Sequence, residues 1–125
     1  MNYVNKSQRK IINIEESLER FDGMQDLYDD LAKMFLTDDS YTNEQLQILL
    51  NEKKFKEACS YVHKLKGVAG TLGLEQLFDT AKEVNDYLKK YQNDTDKIDF
   101  DFLDNIVHNL FYSYLKTFNE LKKLY

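Results

Sequence analysis

Residues 55–73 read FKEACSYVHKLKGVAGTLG, and this stretch determines how the rest of the chain must be arranged. On a helix that turns by about 100° per residue, its apolar side chains fall on the face opposite His63. These predicted core residues are Ala58, Tyr61, Val62, Leu65, Val68, Ala69 and Leu72. Gly67 and Gly70 fall beside His63, at roughly +40° and −20° from it. The stretch therefore predicts a helix with one buried face and a solvent-facing imidazole.

The segments on either side repeat the spacing of three and four residues that is typical of amphipathic helices. The preceding stripe, interrupted by the polar stretch at residues 37–40, contains Met24, Leu27, Tyr28, Leu31, Met34, Phe35, Leu46, Leu49 and Leu50. The first following stripe contains Leu74, Leu77, Phe78, Ala81, Val84, Leu88 and Tyr91. The last contains Leu103, Ile106, Val107, Leu110, Phe111, Tyr114, Phe118 and Leu121. Residues 11–21 carry enough apolar side chains for a shorter helix.

Residues 98–102 (IDFDF) alternate like a β-strand, but the sequence offers no second strand to pair with them. A lone strand leaves its backbone groups unsatisfied, so we interpret this segment as the start of the last helix. Proline is absent, which also favours long helices. The predicted fold is all-α: an antiparallel four-helix bundle with a short accessory N-terminal helix, in a single domain that spans residues 1–125.

Composition excludes several classes of protein. The 125 residues carry 17 basic and 22 acidic side chains, a net charge of −5, which argues against a nucleic-acid partner. No apolar run is long enough to span a membrane, and the N-terminus lacks the apolar run of a signal peptide. The single cysteine, Cys59, rules out an internal disulfide. We expect a cytoplasmic monomer with no membrane partner.

Gly67 and Gly70 need an explanation beyond the fold, because each glycine inside a helix costs about 1 kcal/mol relative to alanine. Their bare backbone would let another protein approach the imidazole closely. Gly73 fits a simpler role, as the left-handed cap that ends the helix. Residues 53–66 contain five lysines and one glutamate, a charge of +4, so the rest of the chain carries −9. Imidazole is largely neutral near pH 7 and therefore nucleophilic, and nearby lysines would suit a phosphoryl group.

Residues 63–73 resemble the signature of the histidine-containing phosphotransfer (HPt) family. That signature reads His-x-(Leu/Ile)-Lys-Gly, then a small residue two positions later, here Ala69, and a glycine four positions further on, here Gly73. The similarity extends over about residues 11–125, including the turn at residues 20–23 and the leucine-rich segment after Gly73. The family fold is a four-helix bundle with accessory helices, in agreement with the periodicity.

The resemblance implies that His63 accepts a phosphoryl group from the aspartate of a receiver domain and passes it to another receiver, in a multistep two-component phosphorelay. It implies that Lys66 stabilises the phosphoryl group and that Gly67 leaves room for the receiver. Asn85 occupies the position where many members have a glutamine that hydrogen-bonds the imidazole. We count Lys64, Gly67, Gly70 and Asn85 as supporting or partner-docking residues. Response-regulator receivers and a hybrid histidine kinase are the expected partners.

The resemblance also bears on catalysis and cofactors. Phosphoryl transfer needs Mg²⁺ and aligned carboxylates. Receivers of this type supply both, so we expect no intrinsic cofactor and no autonomous kinase activity. An ATP-using histidine kinase fits poorly, because such kinases follow their histidine with an acidic residue and a proline, whereas Lys64 follows here.

Three further possibilities concern a metal site, the second histidine and a different function for the whole chain. Cys59 lies one turn before His63, but two ligands do not make a zinc site, and we predict no metal. His108 forms an ordinary surface pair with Asp104 at i,i+4 spacing. A helical-bundle adaptor that binds receiver or kinase domains without being phosphorylated remains the alternative function.

Overall fold

The computed structural model describes residues 9–38 and 41–125. Residues 1–8, to which the signal-peptide argument applies, and Asp39 and Ser40 of the polar stretch lie outside the described residues. The described part contains six α-helices and a short 3₁₀ turn at Thr95–Lys97. The helices are α1 (Ile14–Arg20), α2 (Gln25–Thr37), α3 (Asn43–Asn51), α4 (Phe55–Leu72), α5 (Glu75–Tyr91) and α6 (Phe100–Leu124).

Local signals in the sequence explain where several helices begin and end. Asn13, Thr42 and Asp99 cap the N-termini of α1, α3 and α6, each accepting a hydrogen bond from a backbone N–H of the first turn. Gly73 ends α4 in the left-handed conformation, with φ +70°, as the sequence predicts. Because Asp99 caps a helix that starts at Phe100, the alternating segment is the start of the last helix, as expected.

The predicted all-α bundle is confirmed. Helices α4, α5 and α6 follow one another in antiparallel order, and α2 packs against α4 and α6 to complete four helices. The short helix α1 contacts α2 and α4, while α3 packs on α4. The stripe before residue 55 is therefore two helices, α2 and α3, because the backbone is extended at Asp38 and Thr42 starts a new helix. The bundle has two accessory helices, where the sequence indicated one.

Four apolar residues assigned to the buried stripes are exposed, which corrects the sequence-based prediction. Met24, just before α2, is 58% exposed, Leu27 and Met34 of α2 are 39% and 60% exposed, and Val68 of α4 is 41% exposed. Helix α2 lies at the edge of the bundle and buries only the narrow face that carries Tyr28 and Ala32. A stripe wider than the contacted face leaves its outer side chains in solvent, and two of them, Met34 and Val68, line a groove.

Tyr28 joins α2 to the end of α4, since its buried hydroxyl donates a hydrogen bond of 2.7 Å to the Leu72 carbonyl. We expect Tyr28→Phe to lower the free energy of unfolding by about 1–2 kcal/mol, because the Leu72 carbonyl would lose a buried partner. Burial raises the pKa of Tyr28 to about 12 from an ordinary value of 10.0. The contribution should be complete below about pH 10 and be lost as the pH rises through about 12.

Urea denaturation of both proteins at pH 7, 10 and 11 tests this expectation. The difference between wild type and Tyr28→Phe should be full at pH 7 and shrink at pH 11. Equal stability of the two proteins at pH 7 would contradict the role assigned to the hydroxyl.

Candidate functional site

His63 lies in the middle of α4 with its side chain in solvent. Its neighbours Val62 and Leu65 are buried, so the helix cannot rotate to bury the imidazole without exposing them. Within residues 9–38 and 41–125, no residue hydrogen-bonds, pairs or stacks with the ring. Among the described residues, then, only its own helix positions the imidazole, which is exposed and accessible to a partner.

The three glycines that follow His63 differ in what surrounds them. A Cβ added at Gly67 would meet nothing within 4 Å, so its bare backbone faces open space. A Cβ at Gly70 would lie 3.4 Å from the Phe78 ring of α5, in ordinary van der Waals contact. A Cβ at Gly73 would lie 2.3 Å from the Asn13 carbonyl oxygen. Of the three, Gly73 is required by the fold, and Gly67 is the one whose surroundings in the described structure leave open space.

Lys66 and Asn85 are joined across α4 and α5. The Lys66 ammonium donates to Asn85 Oδ1 at 3.4 Å, on the flank of α4 beside His63. Asn85 is only 4% exposed, and its Nδ2 donates to the Cys59 carbonyl at 3.1 Å. The imidazole is not among the hydrogen-bond partners of Asn85 in the described part of the chain. The structure thus brings Asn85 to Lys66 and to the backbone of α4.

Lys64 lies on the other flank of α4 from Lys66, where its side chain is exposed at the rim of a groove. This groove, which we call the α2–α4 groove, has a volume of about 590 Å³. Its wall includes the half-buried Phe35 and the exposed Met34 and Val68. Gly67 also lines the groove, which therefore opens one helical turn away from His63.

Three tyrosines form the aromatic wall of the α2–α4 groove. The Tyr41 ring stacks on Tyr61 at 5.3 Å between centroids and lies 5.0 Å from Tyr114. Burial raises the pKa of Tyr41, which keeps its phenol neutral. The sequence does not predict this groove, because the groove depends on the distance between α2 and α4. In the sequence, the one indication of a groove is that the apolar stripes contain more side chains than the bundle core can bury.

A second recess, of about 520 Å³, lies on the opposite side of Gly67 and Gly70. Arg20, at the end of α1, reaches into it and donates to the Gly70 carbonyl, while its other nitrogen pairs with Glu16 at 2.9 Å. From the sequence, Arg20 is expected only in the turn at residues 20–23. The structure adds its guanidinium to the basic groups along this face of α4, together with Lys64 and Lys66.

Two features of the described residues bear on other kinds of site. Among residues 9–38 and 41–125, no group of three or more His, Cys, Asp or Glu side chains is arranged to hold a metal ion. None of the helices seen in this part of the chain combines the length and the apolar character needed to cross a membrane. His108 is exposed on α6, with its ring 5.6 Å from that of Tyr112, and the surface pair expected between His108 and Asp104 is not formed.

Fold and site together define an all-α bundle with an exposed histidine on the surface of a central helix. This histidine is bonded to no described residue and is flanked by lysines and an open glycine. A family model described as "Hpt domain" matches residues 14–113, most of the chain. The chain belongs to the Hpt domain family, which confirms the resemblance drawn from the signature. Domains of this family act in phosphorelays as histidine phosphocarriers and not as catalysts. No curated protein and no solved structure matches the chain.

Proposed function

We propose that this protein is a phosphocarrier of a multistep two-component phosphorelay, in which His63 accepts a phosphoryl group from a receiver-domain aspartate and passes it to another receiver. The observation that carries the proposal is the imidazole itself, exposed on α4 and bonded to no described residue. A nucleophile that must enter a partner's site needs this freedom. The uncovered backbone of Gly67, one turn away, gives the partner access.

The proposed transfer exchanges one bond for another. A ring nitrogen of His63 attacks the phosphorus of the aspartyl phosphate, an N–P bond forms, and the P–O bond to the aspartate breaks to release its carboxylate. The reverse step loads the next receiver. The receiver supplies Mg²⁺ and the carboxylates that hold it, so the bundle contributes a positioned nucleophile and needs no cofactor of its own.

The charged side chains around His63 support an acidic partner. Lys66 is three residues from His63 and therefore on a neighbouring part of the helix surface, where its ammonium can stabilise the phosphoryl oxygens. Lys64 lies on the other flank and would meet the rim of the partner. Arg20, bonded to the carbonyl of Gly70, adds a third cation to the same face. The acidic metal site of a receiver would be attracted to this face.

The α2–α4 groove supplies an apolar area beside the charged one. Met34 and Val68 expose large apolar surfaces next to Gly67, and exposed patches of this kind mark sites of protein interaction. We propose that the receiver rests on this groove while its aspartate reaches His63. The monomeric state and cytoplasmic location remain predictions from the sequence.

Phosphoryl transfer from a panel of receiver domains tests the proposal. Each receiver is charged with acetyl phosphate and Mg²⁺, then mixed with the folded protein. We expect at least one receiver to give an acid-labile, base-stable label that peptide mapping places on His63. Absence of label with every receiver of a complete panel would contradict the carrier function and favour the adaptor.

A further inference from the structure

Asn85 is a buried amide that the proposed transfer step does not use. It lies on α5 with three polar contacts, all directed at α4. Its Oδ1 accepts from Lys66 at 3.4 Å, and its Nδ2 lies 3.1 Å from the Cys59 carbonyl and 3.3 Å from the Cys59 sulfur. A buried amide satisfied by such different groups is held in one orientation.

The Cys59 carbonyl determines which way the amide faces. A carbonyl only accepts hydrogen bonds, so it requires Nδ2, and this leaves Oδ1 for the Lys66 ammonium, which only donates. In an α-helix the carbonyl of residue 59 also accepts the backbone N–H of residue 63. Asn85 therefore contacts the backbone of the turn that carries His63 and the side chain of Lys66.

The thiol of Cys59 belongs to the same arrangement. Burial raises the pKa of the thiol, so the sulfur keeps its proton. The thiol donates weakly to the backbone carbonyl of Asn85 at 3.7 Å. Residues 59 and 85 are thus bonded to each other in both directions. These contacts bridge α4 and α5 at the level of the site.

We propose that Asn85 is a positioning residue that acts through Lys66: its amide, oriented by Cys59, holds the Lys66 ammonium on the flank of α4 beside His63. A free lysine side chain samples many rotamers and loses that conformational entropy when it binds the phosphoryl group. An anchored lysine samples fewer rotamers, so it loses less entropy on binding. The consequence for transfer rests on the proposed carrier function. The contact between Asn85 and Lys66 does not.

A double-mutant cycle on phosphoryl uptake distinguishes action through Lys66 from action on the imidazole. We expect Asn85→Ala to slow uptake at saturating receiver by about tenfold, with little change in the receiver concentration that gives half-maximal rate. In the Lys66→Ala background the same substitution should slow it by less than about twofold. An equal loss in both backgrounds, or a Lys66→Ala variant as fast as wild type, would overturn the proposal.

The same cycle is run with phosphoramidate, a chemical donor that loads imidazole and releases ammonia. This arm needs no partner protein. If no receiver donates, the carrier function fails, while the phosphoramidate rates still test whether Asn85 works through Lys66. If Asn85→Ala slows phosphoramidate uptake by the same factor with and without Lys66, the proposal is likewise rejected.

NMR of the lysine ammonium groups tests the contact in the wild-type protein, independently of how well a variant folds. Lys64 is the matched control, because it lies on the same helix with an exposed side chain. We expect the Lys66 ammonium to be less mobile than the Lys64 ammonium in the wild type. In Asn85→Ala the two ammonium groups should be equally mobile. Equal mobility of the two groups in the wild type would show that Asn85 does not hold Lys66.

Discussion

Replacing His63 with glutamine is expected to remove all acid-labile, base-stable phosphoryl label from the protein while its fold remains intact. Glutamine is polar and tolerated on a helix surface, but its amide is no nucleophile. Because the exposed imidazole forms no hydrogen bond, ion pair or ring contact with a described residue, stability should change by less than about 0.5 kcal/mol. Thermal unfolding and label incorporation from a charged receiver, measured on the same samples, check both expectations.

His108→Gln is the matched control, since His108 is the other histidine of the chain and is exposed on α6. This variant should take up label as the wild type does. Label that persists in His63→Gln, or disappears in His108→Gln, would place the phosphoryl group elsewhere.

Signalling in cells separates the two candidate functions. A relay stops when His63 becomes glutamine, because the phosphoryl group has no carrier. An adaptor continues to signal, because binding does not need the imidazole. Continued signalling by His63→Gln at normal protein levels would therefore favour the adaptor.

The features that the sequence could predict are those that depend on one helix at a time. The angular position of His63 relative to Val62 and Leu65 follows from helix geometry, and the left-handed cap at Gly73 follows from residue type. The all-α bundle follows from four amphipathic helical segments, whose apolar faces can be buried only against one another. For these features, local physics and the final structure agree.

The features that the sequence could not predict depend on the distance between helices. The exposure of Met34 and Val68 arises because α2 stands away from part of α4, and no periodicity reports that separation. The partners of Asn85 depend on where α5 crosses α4, so its link to Lys66 appears only in the structure. The contact of Arg20 with Gly70 likewise joins residues that are 50 positions apart in the chain.

Gly67→Leu is expected to weaken receiver binding by at least about tenfold while making the helix itself more stable. Within the described structure a Cβ at this position meets nothing within 4 Å, so leucine should gain helix propensity of roughly 0.5–1 kcal/mol over glycine. The loss of affinity would come entirely from the partner, whose surface would meet a side chain where it needs bare backbone. Calorimetric titration and urea denaturation measure the two effects separately.

Gly67→Ala is the graded control, because it adds a single carbon at the same position. It should raise stability by a similar amount, about 1 kcal/mol, while reducing receiver affinity far less than leucine does. A falling affinity with rising stability cannot be explained by damage to the fold, so this pair isolates the surface that the partner touches. If leucine leaves receiver affinity unchanged, the partner does not approach Gly67, and the cost of a glycine within α4 would need another cause.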